Sequence, residues 1–132
     1  GYMPILPRTA DAALIEAADD LKLTYRTVQK GDFNNACTDV WDLSHLFPVV
    51  NFTFKGFEGR LHGADFRITD PEKAYILPAK LLALTVYKLL RNGGEEAGKI
   101  CQDFTPAFDR ESYTNYIRQQ TDQNKTAGGK TE

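Results

Sequence analysis

The sequence predicts an α/β fold, a mixed sheet of few strands with helices packed on it. Two long segments, residues 9–22 and roughly 71–91, repeat apolar side chains at helical spacing. One stretch, residues 49–55, alternates apolar and polar side chains as a half-buried strand must. Glycine, proline and asparagine cluster between these stretches, and no internal repeat is present.

Pro4 and Pro7 hold an extended entry to the first helix. Thr9 is placed to cap that helix, Asp11 meets the positive end of its dipole, and Ala13, Leu14, Ala17, Ala18 and Leu21 form its apolar stripe. Residues 23–29, rich in threonine, tyrosine and valine, read as a short strand. After a polar turn at 31–35, Thr38 or Asp39 caps a short helix to about Leu46, which Pro48 ends. The strand at 49–55 turns Val50, Phe52 and Phe54 one way and Asn51, Thr53 and Lys55 the other.

Gly56, Gly59 and Gly63 mark a loop whose backbone turns sharply or comes close to something. Beyond an extended piece at 66–68, Asp70 caps the next helix, Pro71 takes its first position and Glu72 suits its dipole. Pro78 should kink that helix near Ala74 and Tyr75 or split it in two. Asn92, Gly93 and Gly94 end it in a left-handed cap. Residues 95–104 and 110–120 give two further helices, the last with Tyr113, Tyr116 and Ile117 on its inner face. Residues 1–120 are therefore expected to form one domain and residues 121–132, polar and glycine-containing, a disordered tail.

A net charge of −2 removes the attraction that draws basic chains onto phosphate backbones or anionic lipid, so neither nucleic acid nor membrane is an expected partner. No run approaches the ~18 apolar residues that crossing a bilayer requires, and the N-terminus has no basic start and no apolar signal core. Cys37 and Cys101, far apart, read as two reduced thiols in a cytoplasmic protein. Gly1, Tyr2 and Met3 at the start point to a processed product or a piece of something longer.

Asp39 and Asp42 share one face of the short helix, where they suit a cation, a substrate hydrogen bond or proton transfer. The plainer alternative is an N-cap followed by a first-turn acid. His45 follows Asp42 by three residues, as a carboxylate-oriented histidine or as a helix-end residue welcomed by the dipole. His62, between Gly59 and Gly63 with Asp65 three residues on, is the sharper candidate, because neutral imidazole is the commonest protein ligand for zinc. A catalytic zinc takes three protein ligands, however, and no H-x-D or H-E-x-x-H cluster accompanies His62. No phosphate loop and no G-x-S-x-G elbow occurs, and nothing fixes a thiolate at Cys37.

The order of Cys37-Thr38-Asp39-Val40-Trp41-Asp42-Leu43-Ser44, a strand, Gly59-Arg60-Leu61-His62-Gly63-Ala64-Asp65-Phe66, then Asp70-Pro71-Glu72-Lys73-Ala74-Tyr75 and Pro78-Ala79-Lys80 resembles the final section of one family. That family is the co-catalytic di-zinc metallopeptidases and amidohydrolases (peptidase family M-twenty), with the aminoacylases, hippurate hydrolases and aminobenzoyl-glutamate hydrolases among its members. The opening Gly1-Tyr2-Met3-Pro4-Ile5-Leu6 resembles the segment that re-enters the catalytic domain after the lid, and the likeness runs to about Tyr116.

The resemblance implies that the chain is the second half of a zinc-peptidase-like catalytic domain. It implies that His62 is the last protein ligand to a pair of divalent metal ions, zinc by analogy, and that Thr38, Asp39, Asp42 and Ser44 line the substrate side of the cleft. The other ligands, the bridging aspartate and the glutamate base belong to the family's earlier half. So does the lid through which the parent proteins form homodimers. Trp41 stands where the family has a small residue, and Cys37 where serine or glycine is commoner, so the substrate does not carry over.

Two functions follow as expectations. In the first, the parent hydrolyses amide bonds of N-acyl amino acids or small peptides with zinc-activated water. The chain alone is then inactive, because it holds no catalytic residue, and binds zinc weakly, because one imidazole supplies too few ligands. Its cut sheet exposes a strand edge through which it self-associates. In the second, the chain is a non-catalytic binding or structural module related to that family.

Overall fold

A computed structural model describes residues 10–28 and 38–128. In chain order it contains helix α1 (Asp11–Asp20), helix α2 (Asp39–Leu43), strands β1 (Phe57–Glu58) and β2 (Arg67–Ile68), a π-helical turn (Glu72–Ile76), helix α3 (Leu77–Asp103) and helix α4 (Arg110–Gly128). The architecture is mixed and dominated by helix, with one two-stranded antiparallel sheet pairing Phe57 with Ile68 and Glu58 with Arg67.

α1 and α3 form the centre. Ala13, Ala17 and Ala18 are buried on the face of α1, and Leu81 packs into the cluster with Leu14, Leu21, Leu23, Phe52 and Leu84 around it. Alanine at these positions lets the two helices come close, because no long side chain holds them apart. Thr85 is buried beside Leu81, its hydroxyl donating to the Leu81 carbonyl at 2.7 Å. α1 ends at a left-handed Lys22 (φ 53°), after which the Leu23 N–H returns to the Ala18 carbonyl at 2.9 Å. Thr9, expected to cap this helix, lies outside the described residues.

Two expected strands are not formed. Residues 23–28 and 49–55 are irregular, while the short pairing falls at 57–58 and 67–68. Alternation fixes which side chains share a face, but a strand also needs a neighbour to take its N–H and C=O groups, and neither stretch has one among the described residues. Phe52 instead joins the helical core, and Phe52, Phe54, Phe57 and Phe66 follow one another with ring centroids 6.3, 5.5 and 5.2 Å apart.

The start of the π-helical turn that leads into α3 matches its sequence signals. Asp70 accepts from the Lys73 N–H at 3.1 Å and from its amine at 2.6 Å. Both bonds hold the Asp70 carboxyl below the usual carboxylate range. The Thr69 and Asp70 N–H groups donate to the Gly56 carbonyl at 2.9 and 3.2 Å, tying the hairpin to the helix start. Gly56 has φ 108°, and a Cβ there would sit 2.6 Å from the Asp70 carbonyl oxygen, so only glycine fits. Pro78, which brings no N–H to the ladder, is preceded by the wider π-helical turn, and the Leu77 N–H donates to the Glu72 carbonyl.

α3 breaks at Arg91–Gly94, where Asn92, Gly93 and Gly94 have φ 55°, 74° and 78°. This is the expected left-handed stop, with helix resuming at Glu95. Asp109 caps α4, accepting from the Ser112 N–H at 2.7 Å. α4 then runs to Gly128, past residue 120 where a disordered tail was expected. At the start of this extension Thr121 returns its hydroxyl to the Ile117 carbonyl at 2.9 Å. Residues 129–132 lie outside the described residues. No described helix is long and apolar enough to cross a membrane.

Candidate functional site

α2 is a five-residue helix with a built N-terminus. Thr38 is its N-cap in extended backbone, its hydroxyl accepting from the Val40 N–H at 3.4 Å. Asp39 and Asp42 both fall in the first turn, where their charges suit the helix dipole. The helix stops earlier than the expected Leu46, and looser turns follow, with Leu46 and Phe47 donating to the Leu43 carbonyl. Ser44 is buried, and its hydroxyl donates to the Trp41 carbonyl at 2.6 Å. Its proton is thus committed to bracing the helix end.

The chain entering α4 packs against α2. The N–H groups of Ala107 and Phe108 donate to the His45 carbonyl at 2.9 and 3.4 Å, and the His45 ring lies 6.0 Å from that of Phe108. Phe108 in turn neighbours Tyr113 and Tyr116 at 6.1 and 5.9 Å. The Tyr113 hydroxyl donates to the Asp42 carboxylate at 3.5 Å. Burial raises the Tyr113 phenol pKa, and the charges of Asp42 and Asp39 raise it further. The acids of α2 therefore have an aromatic wall beside them.

The sequence places Tyr113, Tyr116 and Ile117 on the inner face of the last helix; the two tyrosines are half-buried, whereas Ile117 is 41% exposed. Sequence reading missed that this face meets Asp42, because Tyr113 and Asp42 lie 71 positions apart and no local pattern links them.

His62 sits in the loop between β1 and β2. Its backbone is left-handed (φ 63°) and its side chain is exposed. The loop is braced from within, with Gly63 N–H donating to the Arg60 carbonyl at 2.7 Å and Phe66 N–H to the Gly63 carbonyl at 3.2 Å. Arg60 N–H donates to the Asp65 carboxylate at 3.4 Å. A Cβ on Gly63 would collide with that carboxylate and lie 2.8 Å from the Arg60 carbonyl, so the residue after His62 must be glycine. Among the described residues, no three His, Cys, Asp or Glu side chains group closely enough to hold a metal ion.

A cavity of about 210 Å³ lies elsewhere, between α1 and the bend of α3, with Glu16, Lys88, Arg91, Glu95, Glu96 and Lys99 on its walls. It contains none of the residues expected to bind substrate or metal. Comparison with known protein families, with curated proteins and with solved structures finds no match for this chain.

Proposed function

We propose that this chain is the C-terminal part of the catalytic domain of a metal-dependent amidohydrolase that cleaves amide bonds of N-acyl amino acids or small peptides. The observation that carries the proposal is the backbone of His62. A left-handed conformation at a non-glycine residue costs on the order of 1–3 kcal/mol, and such strain gathers at functional sites. Here it falls on an exposed imidazole in a loop whose neighbours, Gly63 and Asp65, are fixed by sterics and hydrogen bonding.

Within this proposal His62 contributes one neutral imidazole to a metal site whose remaining donors lie on polypeptide outside these residues. A divalent metal held by a full ligand set polarises the scissile carbonyl and acidifies bound water. Asp39 and Asp42, at the N-terminus of α2 with Phe108, Tyr113 and Tyr116 beside them, form the substrate wall. The Thr38 cap fixes the direction of that short helix, and Ser44 braces its far end.

The test is zinc-dependent hydrolysis of N-acyl amino acids by the full-length parent and by its His62→Ala variant. The variant should lose at least about a hundredfold in turnover, in line with the loss of a metal ligand. Unchanged turnover in the variant would remove His62 from the mechanism. A wild-type parent with no zinc-dependent hydrolysis would favour the second function, a non-catalytic binding or structural module.

A further inference from the structure

We propose that α1 is a strap latched onto α3 by the buried amine of Lys88, and that acid lifts the strap off before α3 itself unfolds. Lys88 leaves only 5% of its side chain exposed. Its amine lies 2.7 Å from Glu16 and 2.6 Å from Asp20, two acids of α1 that are about half exposed (50% and 54%). Two anions on the strap therefore compensate one cation fixed on the helix beneath. The remaining contact is slight, with Ala17 and Ala18 against Leu81, and Leu14, Leu21 and Leu84 at its edge. A buried charge that loses its partners is strongly unfavourable, whereas contacts of alanine size give up little on parting.

The other charges near this amine do not replace the two acids. Arg91 lies 3.2 Å from Glu16 and adds a second cation. Glu95, Glu96 and Lys99 line the neighbouring cavity, with Glu95 and Lys99 paired at 3.0 Å. In acid all four carboxylates lose charge, whereas Lys88, Arg91 and Lys99 keep theirs. Hydrogen bonding from Lys88 holds the Glu16 carboxyl below its ordinary range, and Asp20 and Glu16 hold the Lys88 amine above its own. The contribution of Glu16 is thus full above the unfolded carboxylate pKa and fades as pH falls through the lower folded value. Lys88 stays charged throughout that window. Protonation also ends the repulsion between Glu16 and Asp20, but that surface effect is small beside a buried ammonium left without an anion. Moving α1 aside returns the amine to water. α3 keeps a separate anchor in the Thr69 and Asp70 N–H bonds to the Gly56 carbonyl, which do not titrate. The inference does not depend on the hydrolase proposal.

The test is an acid titration of the whole chain followed by nuclear magnetic resonance. The methyl signals of Ala13, Ala17 and Ala18 should move to the positions of solvent-exposed alanine at a pH where the Cα shifts of residues 79–90 are still helical. Lys88→Met keeps a long side chain without a charge to strand, so its α1 should stay docked through the pH at which the wild type releases it. Glu16→Gln removes one anion at a solvent-exposed position, and should raise the release midpoint by about half a pH unit or more, or free α1 already at neutral pH. Loss of the alanine and α3 signals at one common pH overturns the proposal. A release midpoint unchanged in either variant also overturns it, and should Lys88→Met not fold, Glu16→Gln decides by itself.

Discussion

Residue by residue, backbone geometry and charge single out different positions. His62 stands out in the sequence through its flanking glycines, and the structure adds a left-handed backbone at that position. The caps at Asp70 and Thr38 were legible, since capping is decided within three residues. Ser44 was not: a T-D-x-x-D-x-S string gives no sign that its hydroxyl turns inward to the Trp41 carbonyl. The caps also set how stability responds to acid. Hydrogen bonds from Lys73 hold Asp70 below the usual carboxylate range, and those from Ser112 do the same for Asp109. A carboxyl more acidic in the folded than in the unfolded chain adds stability above its unfolded pKa and loses it as pH falls through its folded pKa. The melting temperature should therefore drop on acidification through and below the ordinary carboxylate range. Asp109→Asn keeps a capping oxygen without the titration, and thermal melts across acidic pH should show it with a shallower acid limb than the wild type.

For the elements, punctuation was more informative than propensity. Pro78 predicted a disturbance near Ala74 and Tyr75, and the π-helical turn lies there. Asn92, Gly93 and Gly94 predicted a left-handed stop, and the backbone supplies three consecutive left-handed residues. Strands fared worse, because pairing is a property of two segments and the sequence shows each one singly. What holds α1 to α3 is a thin contact of alanine against leucine, so one large side chain carries much of it. Leu81→Ala should lower unfolding free energy by about 2–5 kcal/mol, read from the denaturant midpoint, because the alanines opposite are already too small to close the gap. Leu61→Ala, at a position 66% exposed, should change it by no more than about 0.5 kcal/mol.

For the molecule as a whole, the notable feature is where the large apolar side chains lie. The buried apolar residues among those described are five alanines, Leu81 and Ile100, whereas bulky side chains such as Phe47, Leu61, Tyr87 and Leu90 are 59–66% exposed. Composition gives no hint of this distribution, since burial depends on what stands opposite each face. Helix α4 continues past residue 120, where the sequence sets a disordered tail, and the difference can be checked directly. Ending the chain after Gln120 should remove about two turns' worth of far-ultraviolet helical signal. Thermal stability should hardly change, because residues 118–123 are exposed. An unaltered helical signal per molecule would restore the disordered tail. A last consequence lies in Lys88, buried with its amine 2.7 Å from Glu16 and 2.6 Å from Asp20. Those two acids stand one turn apart on α1, where like charges repel, and ten residues is too short for a helix to persist by itself in water. The cation that quiets them arrives from 72 positions beyond Glu16. The opening helix therefore has no independent existence, and the two distant stretches must assemble, and come apart, in one concerted event.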